Sequence, residues 1–129
     1  MAMNIFNDAF GIHERALQVR SQRLDVLAKN IANADTPNYK AQDVDFKAML
    51  QDVQRETLTA TNDKHYAAIE EGPDNGMRYR VPYNSSFDGN TVEISVEQAQ
   101  FGKAAGDYRA TLQFLGDRIG GIRKALKGE

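Results

Sequence analysis

The chain contains no cysteine, which excludes disulfide staples, thiolate metal sites and thiol nucleophiles. It has no apolar run near the roughly 18–20 residues that a spanning helix needs, so no direct membrane span is expected. A mean hydropathy of -0.58 and 26% charged residues point to a soluble protein. The stretch from Met1 to Asp8 has neither a basic cluster nor a continuous apolar run, so no cleavable secretory signal is expected. A clustered basic face is missing too. The net charge of -2 divides into +1 over residues 1–34, -5 over residues 35–95 and +2 over residues 96–129. That is not the footprint of a phosphate-binding surface, and nucleic acid is not an expected partner.

The usual chemical constellations are equally sparse. His13 and His65 are the only histidines, and neither has the helix-spaced second histidine of a zinc motif. Asp43-Val44-Asp45 sets two carboxylates close together, but no glycine turn or glutamate follows at calcium-loop spacing. It reads as a solvated acid followed by a helix cap. Ser21, Ser85, Ser86 and Ser95 lie in no nucleophile-elbow context. Glycine patterns for phosphate or dinucleotide binding are absent. Glu70, Glu71 and Glu93 as the acids of a small secreted hydrolase would need a rigid cleft, which the polar, weakly periodic residues 55–76 do not promise. The expectation is a protein with no enzymatic activity, no cofactor and no metal.

What the sequence does have is helical periodicity at both ends. The 129 residues are one domain's worth of chain, with a helix over residues 1–34, a mixed region over 35–95 and a second helix over 96–129. In the first helix Met3, Phe10, Leu17, Leu24 and Ile31 recur every seven residues, widened by Leu27 and Ala28. Ile5, Ile12, Val19 and Val26 form a second series that falls almost opposite the first at about 100° per residue. No proline interrupts the run until Asp35-Thr36-Pro37-Asn38, which stops it because proline cannot continue the hydrogen-bond ladder.

The second helix carries Phe101, Ala105, Tyr108, Leu112, Leu115, Ile119, Ile122 and Leu126 at alternating four- and three-residue spacing, a coiled-coil seam. Ser95 and Gln98 form a capping box ahead of it. Phe114 falls on the far side of that seam. Gly102, Gly106, Gly116, Gly120 and Gly121 weaken the helix while letting other backbones come close. Between the helices, Asp45 caps a short helix over Phe46–Gln54, with Val44 and Met49 placed as a hydrophobic staple. The alternation of Met77 to Val81 and of Val92, Ile94 and Val96 predicts a small β-hairpin about the Asp88-Gly89-Asn90 turn. The fold class is therefore mainly α: two long terminal helices packed as a coiled-coil-like hairpin, with an irregular middle. In a monomeric bundle all these apolar residues would fill one core. Two long helices are too few to cover three apolar stripes, however, and the excess marks an association surface.

The stretch Leu24 to Lys40 closely resembles the signature of the flagellar rod and hook family, in which a long N-terminal helix ends in an Asn-Ile-Ala-Asn-Ala-Asx-Thr-Pro-x-Tyr turn. Here these are Asn30, Ile31, Ala32, Asn33, Ala34, Asp35, Thr36, Pro37 and Tyr39. Asn30 and Asn33 are suited to satisfy backbone groups at the helix end, and Tyr39 offers an anchor with a polar tip. Phe87 to Ile94, running into Glu97 to Phe101, resembles the entry to the C-terminal helix of one short proximal-rod member; its short sister is the alternative within the family. A soluble helical-hairpin binding module, such as an export chaperone, is the alternative outside it.

The resemblance implies a structural subunit of the flagellar basal body, exported by the flagellar type III system and polymerised helically into a periplasmic rod. That rod would transmit torque and surround the export channel. The implied partners are copies of the chain itself, other rod proteins, the rod-to-membrane-ring adapter and the export gate. The candidate assembly residues are Phe10, Leu17, Leu24, Ile31, Ile12, Val19, Val26, Phe101, Tyr108, Leu112, Phe114, Leu115, Ile119, Ile122 and Leu126.

Overall fold

Thirty-one residues, Ala2–Ala32, form a single N-terminal helix, and Ile94–Lys127 form a C-terminal one. The computed structural model describes residues 2–50 and 76–128, with side chains from Phe10 onward. Expectations for the side chains of Met3 and Ile5, for residues 51–54 and for His65, Glu70 and Glu71 lie outside the described residues. The two long helices pack against each other, and a short antiparallel pair of strands lies against the N-terminal helix. This matches the mainly α architecture expected from the periodicity.

The strand pair differs from expectation in its partner. Strand β1, Gln42–Val44, pairs with strand β2, Met77–Tyr79, with Gln42 opposite Tyr79 and Val44 opposite Met77. The Asp45 N–H to Gly76 carbonyl bond (2.8 Å) and the Arg80 N–H to Ala41 carbonyl bond (2.9 Å) extend the ladder at both ends. Val92, Ile94 and Val96 do not form a strand, because helix begins at Ile94. The turn at Asp88-Gly89-Asn90 is real, with Gly89 at φ 75. It hooks a loop onto the end of the N-terminal helix instead of joining two strands. There Asn38 N–H donates to the Asp88 carbonyl (2.9 Å) and Thr91 N–H to the Tyr39 carbonyl (3.0 Å).

Asp45 caps the helical residues 46–50 as expected, its carboxylate accepting from the Ala48 N–H at 3.1 Å. The capping box at Ser95 does not form. Glu93 takes the cap position in extended backbone with no side-chain cap bond, and its Oε1 accepts from the Asn84 N–H (2.8 Å). The C-terminal helix ends where Gly128 adopts the left-handed conformation and donates its N–H to the Lys124 carbonyl.

The apolar core is small. Val19 and Val26 are buried with Val44, and Phe46, Met49 and Met77 pack against them. Thus the Ile12–Val26 series largely faces the chain's own strand pair. Leu27 and Ala104 are buried as well, while Ile12 remains 44% exposed.

Candidate assembly surface

The motif turn is built from asparagines, each with a separate task. The helix proper ends at Ala32, one residue before Asn33, whose carbonyl the Pro37 ring would clash with if the helix continued. Asn33 reaches back with its amide to the Lys29 carbonyl (2.8 Å) and accepts from the Thr36 hydroxyl (3.1 Å). The Asn90 amide shares its two N–H donors among the carbonyls of Asn33, Ala34 and Thr36, at 3.0, 2.9 and 2.8 Å. Asn90 is buried, and nothing in its local sequence distinguishes it from an ordinary turn residue.

Asn30 corrects the expectation of a helix-end ligand. It is fully buried, and its carboxamide behaves as one more strand beside β1. Its Nδ2 donates to the Gln42 carbonyl (2.6 Å) and its Oδ1 accepts from the Gln42 N–H (3.1 Å). The same amide donates to Glu97 Oε2 at 3.0 Å, and the Tyr39 hydroxyl approaches Oδ1 at 3.4 Å. Tyr39 is half-buried, with its hydroxyl toward Asn30. Ile31 and Ala34 are half-buried; Ala32, Asp35, Thr36 and Pro37 are exposed.

Asp43, expected to be solvated, is instead the hub of a charged cluster. It accepts from Arg23 (2.9 and 3.1 Å) and from Arg80 (2.8 Å). Burial opposes its charged form, but the Arg23 hydrogen bond, the Val44 N–H and the two guanidinium charges outweigh it and hold the carboxyl below its ordinary range. The Arg23 guanidinium is raised by the same hydrogen bond, against the effect of burial. Arg80 Nε also lies 2.9 Å from Oε1 of the fully buried Glu97, out of line for a hydrogen bond, so that contact is ionic and not directed.

Along the helix–helix seam the contacts are again polar. Arg23 donates to Gln100 Oε1 (3.0 Å). Arg20 pairs with Asp107 (3.3 Å) and lies 4.3 Å over the Phe46 ring. His13 and Phe114 meet with ring centroids 5.0 Å apart. Phe114 therefore faces the N-terminal helix rather than its far side, although it stays 53% exposed. From Glu97 to Phe114 the C-terminal helix meets the N-terminal one through Glu97, Gln100, Ala104, Asp107, Thr111 and Phe114. At about 100° per residue this line runs about a quarter turn away from the apolar line expected to form the seam.

The apolar line points outward. Phe101, Leu112, Ile119 and Leu126 are exposed, Leu112 at 48% and Leu126 at 78%, while Tyr108, Leu115 and Ile122 are half-buried. On the N-terminal helix, Phe10, Leu17, Leu24 and Ile31 are half-buried and flank the seam. At the open end of the hairpin Phe10 meets Ile119, Ile122 and Leu126 in a cleft of about 450 Å³, so the two lines share one side of the molecule there. Phe87, Tyr83 and Val81 add exposed apolar groups on the loop at the other end. No group of three or more His, Asp or Glu suited to a metal occurs among the described residues.

Magnitudes bring out how unusual this is. Fully burying a Leu, Ile or Phe side chain is worth about 1.5–3 kcal/mol. A partly exposed ion pair such as Arg20–Asp107 is worth about 0–1 kcal/mol. A lone hairpin would gain more by turning its apolar line inward.

The flagella basal body rod protein family profile matches residues 10–40, which contain the whole motif turn. The chain is 43% identical to the flagellar basal body rod protein FlgB of Aeromonas hydrophila, with 96% of each chain covered. It is 40% identical to FlgB of Salmonella typhimurium over 93% of this chain and 94% of that one. FlgB of Escherichia coli is 38% identical over 92% of this chain and 93% of its own. These relatives favour FlgB over its short sister FlgC. The chain belongs to the family of FlgB flagellar basal body rod proteins, and as such is a structural subunit and not an enzyme.

Proposed function

We infer that this chain polymerises helically into the proximal rod of the flagellar basal body, as one rod-subunit domain spanning residues 1–129. Its outward apolar lines on the two terminal helices meet neighbouring subunits. The rod is a drive shaft that transmits torque and surrounds the export channel. The observation that carries this reading is the exposure of Phe101, Leu112, Ile119 and Leu126 along one face of a 34-residue helix, a contiguous apolar line of the kind that marks an association surface. Heterologous contacts that do not close into a ring give the open helical array a shaft requires.

Copies of the chain and other rod proteins are the natural occupants of this face. The exposed loop residues Val81, Tyr83 and Phe87 lie on a different element and suit a different neighbour, such as the adapter to the membrane ring or the export gate. Delivery to the periplasm through the flagellar type III system, without a cleavable signal, completes the reading. No helix among the described residues is long and apolar enough to cross a membrane.

Deleting the gene is expected to arrest assembly at the membrane-ring stage. Leu24→Asp, Leu115→Asp and the more exposed Leu112→Asp are each expected to abolish rod formation and swimming while the chain is still made. Normal motility in all three would remove the assembly role from these lines.

A further inference from the structure

We propose that the polar contacts between the two long helices are positioning residues: they fix the rotation of the C-terminal helix so that its apolar line stays outward, available to a neighbouring subunit. The proposal rests on the assembly reading above and says what holds that surface open. The C-terminal helix offers its N-terminal partner two competing faces, an apolar line and, about a quarter turn away, a polar one. Burial alone selects the apolar face. From Glu97 to Phe114 the chain adopts the polar one, and the apolar line comes to the N-terminal helix at the open end, where Phe10 lies with Ile119, Ile122 and Leu126.

Three pairs mark the polar face in register along the hairpin: Asn30 with Glu97, Arg23 with Gln100, and Arg20 with Asp107. They are not interchangeable surface charges. Glu97 and Asn30 are fully buried, and turning the helix would take the Glu97 carboxylate away from the Asn30 amide and from Arg80, which a low-dielectric interior penalises severely. The far sides of these groups are tethered as well. Asn30 is bonded to the Gln42 backbone, Arg23 to Asp43, and Glu97 contacts Arg80, so the strand pair anchors the helix rotation at one end. Buried polar groups are well attested as devices that specify register at the expense of stability. Here the quantity specified is which face of a helix remains open.

The absence of cysteine makes the rotation directly readable by thiol labelling of single-cysteine variants. Leu112→Cys reports the apolar line, which is 48% exposed there, and Ala104→Cys reports the seam, where the residue is 2% exposed. In the full chain with its polar contacts intact, a maleimide should modify position 112 quickly and position 104 slowly. Alanine at Arg20, Glu97, Gln100 and Asp107 together removes the contacts without creating a sticky apolar seam. In that background, with helicity by circular dichroism retained, labelling at position 112 should slow by about tenfold as the line turns inward. A helix that was merely destabilised would label faster at both positions.

Unchanged labelling at position 112 in the alanine background overturns the proposal. So does rapid labelling at both positions with the polar contacts intact, since no rotation is then being held. The milder pair Arg20→Ala with Asp107→Ala provides the same reading should the fourfold variant lose its helices, with a smaller slowing expected. The assembly reading fails differently. If the alanine variant buries position 112 and the cells still build rods and swim, the rotation is held as proposed but the apolar line is not the surface subunits use.

Discussion

Asn30 shows how one residue can join three elements. Its side chain sits in the N-terminal helix, completes the edge of β1 and contacts Glu97 in the first turn of the C-terminal helix. Replacing it with alanine leaves the half-buried Gln42 N–H and carbonyl without these partners, at a cost of about 1 kcal/mol. A loss of that size in urea unfolding is the expected outcome, and Asn30→Asp should not rescue it, because a second carboxylate would face Glu97.

Asp43 makes the protein's acid response predictable in sign. Burial opposes its charge, but the Arg23 hydrogen bond, the Val44 N–H and the Arg23 and Arg80 charges together outweigh that and set its folded-state value below the ordinary one. The stabilisation it contributes is fully present above the unfolded carboxylate value, about 3.9, and is lost as pH falls through the lower folded value. Urea midpoints should therefore drop below about pH 4, and Asp43→Asn should remove part of that drop while lowering stability at neutral pH.

At the scale of elements, the two helices differ in what stabilises them. Among the described residues nothing lies within 4 Å of where a Cβ would stand on Gly102, Gly106, Gly116 or Gly120, so none of that backbone uses the access these glycines offer. Alanine at any of them should raise the stability of the isolated chain by about 0.5–1 kcal/mol, measurable as a higher thermal midpoint. Gly89 should behave oppositely. It holds φ 75, and an added Cβ would press on Asn38 Oδ1, so Gly89→Ala should loosen the loop that carries Asn90 and expose the helix end to hydrogen exchange.

Which elements could be read in advance follows from the range of the signals. Both long helices, the stop near Pro37, the Asp45 cap and the motif turn depend on residues within a turn or two of one another, and periodicity exposed them. The partner of β2 did not emerge, because the local alternation of Val92, Ile94 and Val96 offered a nearer partner than Gln42–Val44. The polar seam was hidden for a related reason. Apolar spacing identifies the face that must eventually be buried, and here the face used within the chain is the other one. The charged cluster around Asp43 and the three-carbonyl role of Asn90 both depend on residues far apart in sequence, and no spacing rule reports them.

For the whole molecule, the small core of Val19, Val26 and Val44 with its flanking side chains contrasts with the long apolar lines left outside. Association through those lines should depend little on salt, because screening acts on exposed charges rather than on apolar burial. Sedimentation of the purified chain should show self-association that persists or strengthens between low and high ionic strength. A charge-driven assembly would instead dissociate.

The clasp that Asn90 makes on the carbonyls of Asn33, Ala34 and Thr36 spans 54 to 57 positions of sequence. Closing a loop of that length carries an entropic cost that must be met before the contact gives anything back. Any process that delivers the chain from its amino end, translation included, therefore releases the first helix long before its terminus can be sealed. The earliest element to appear is among the last to be completed, and through that interval its far end remains free to fray.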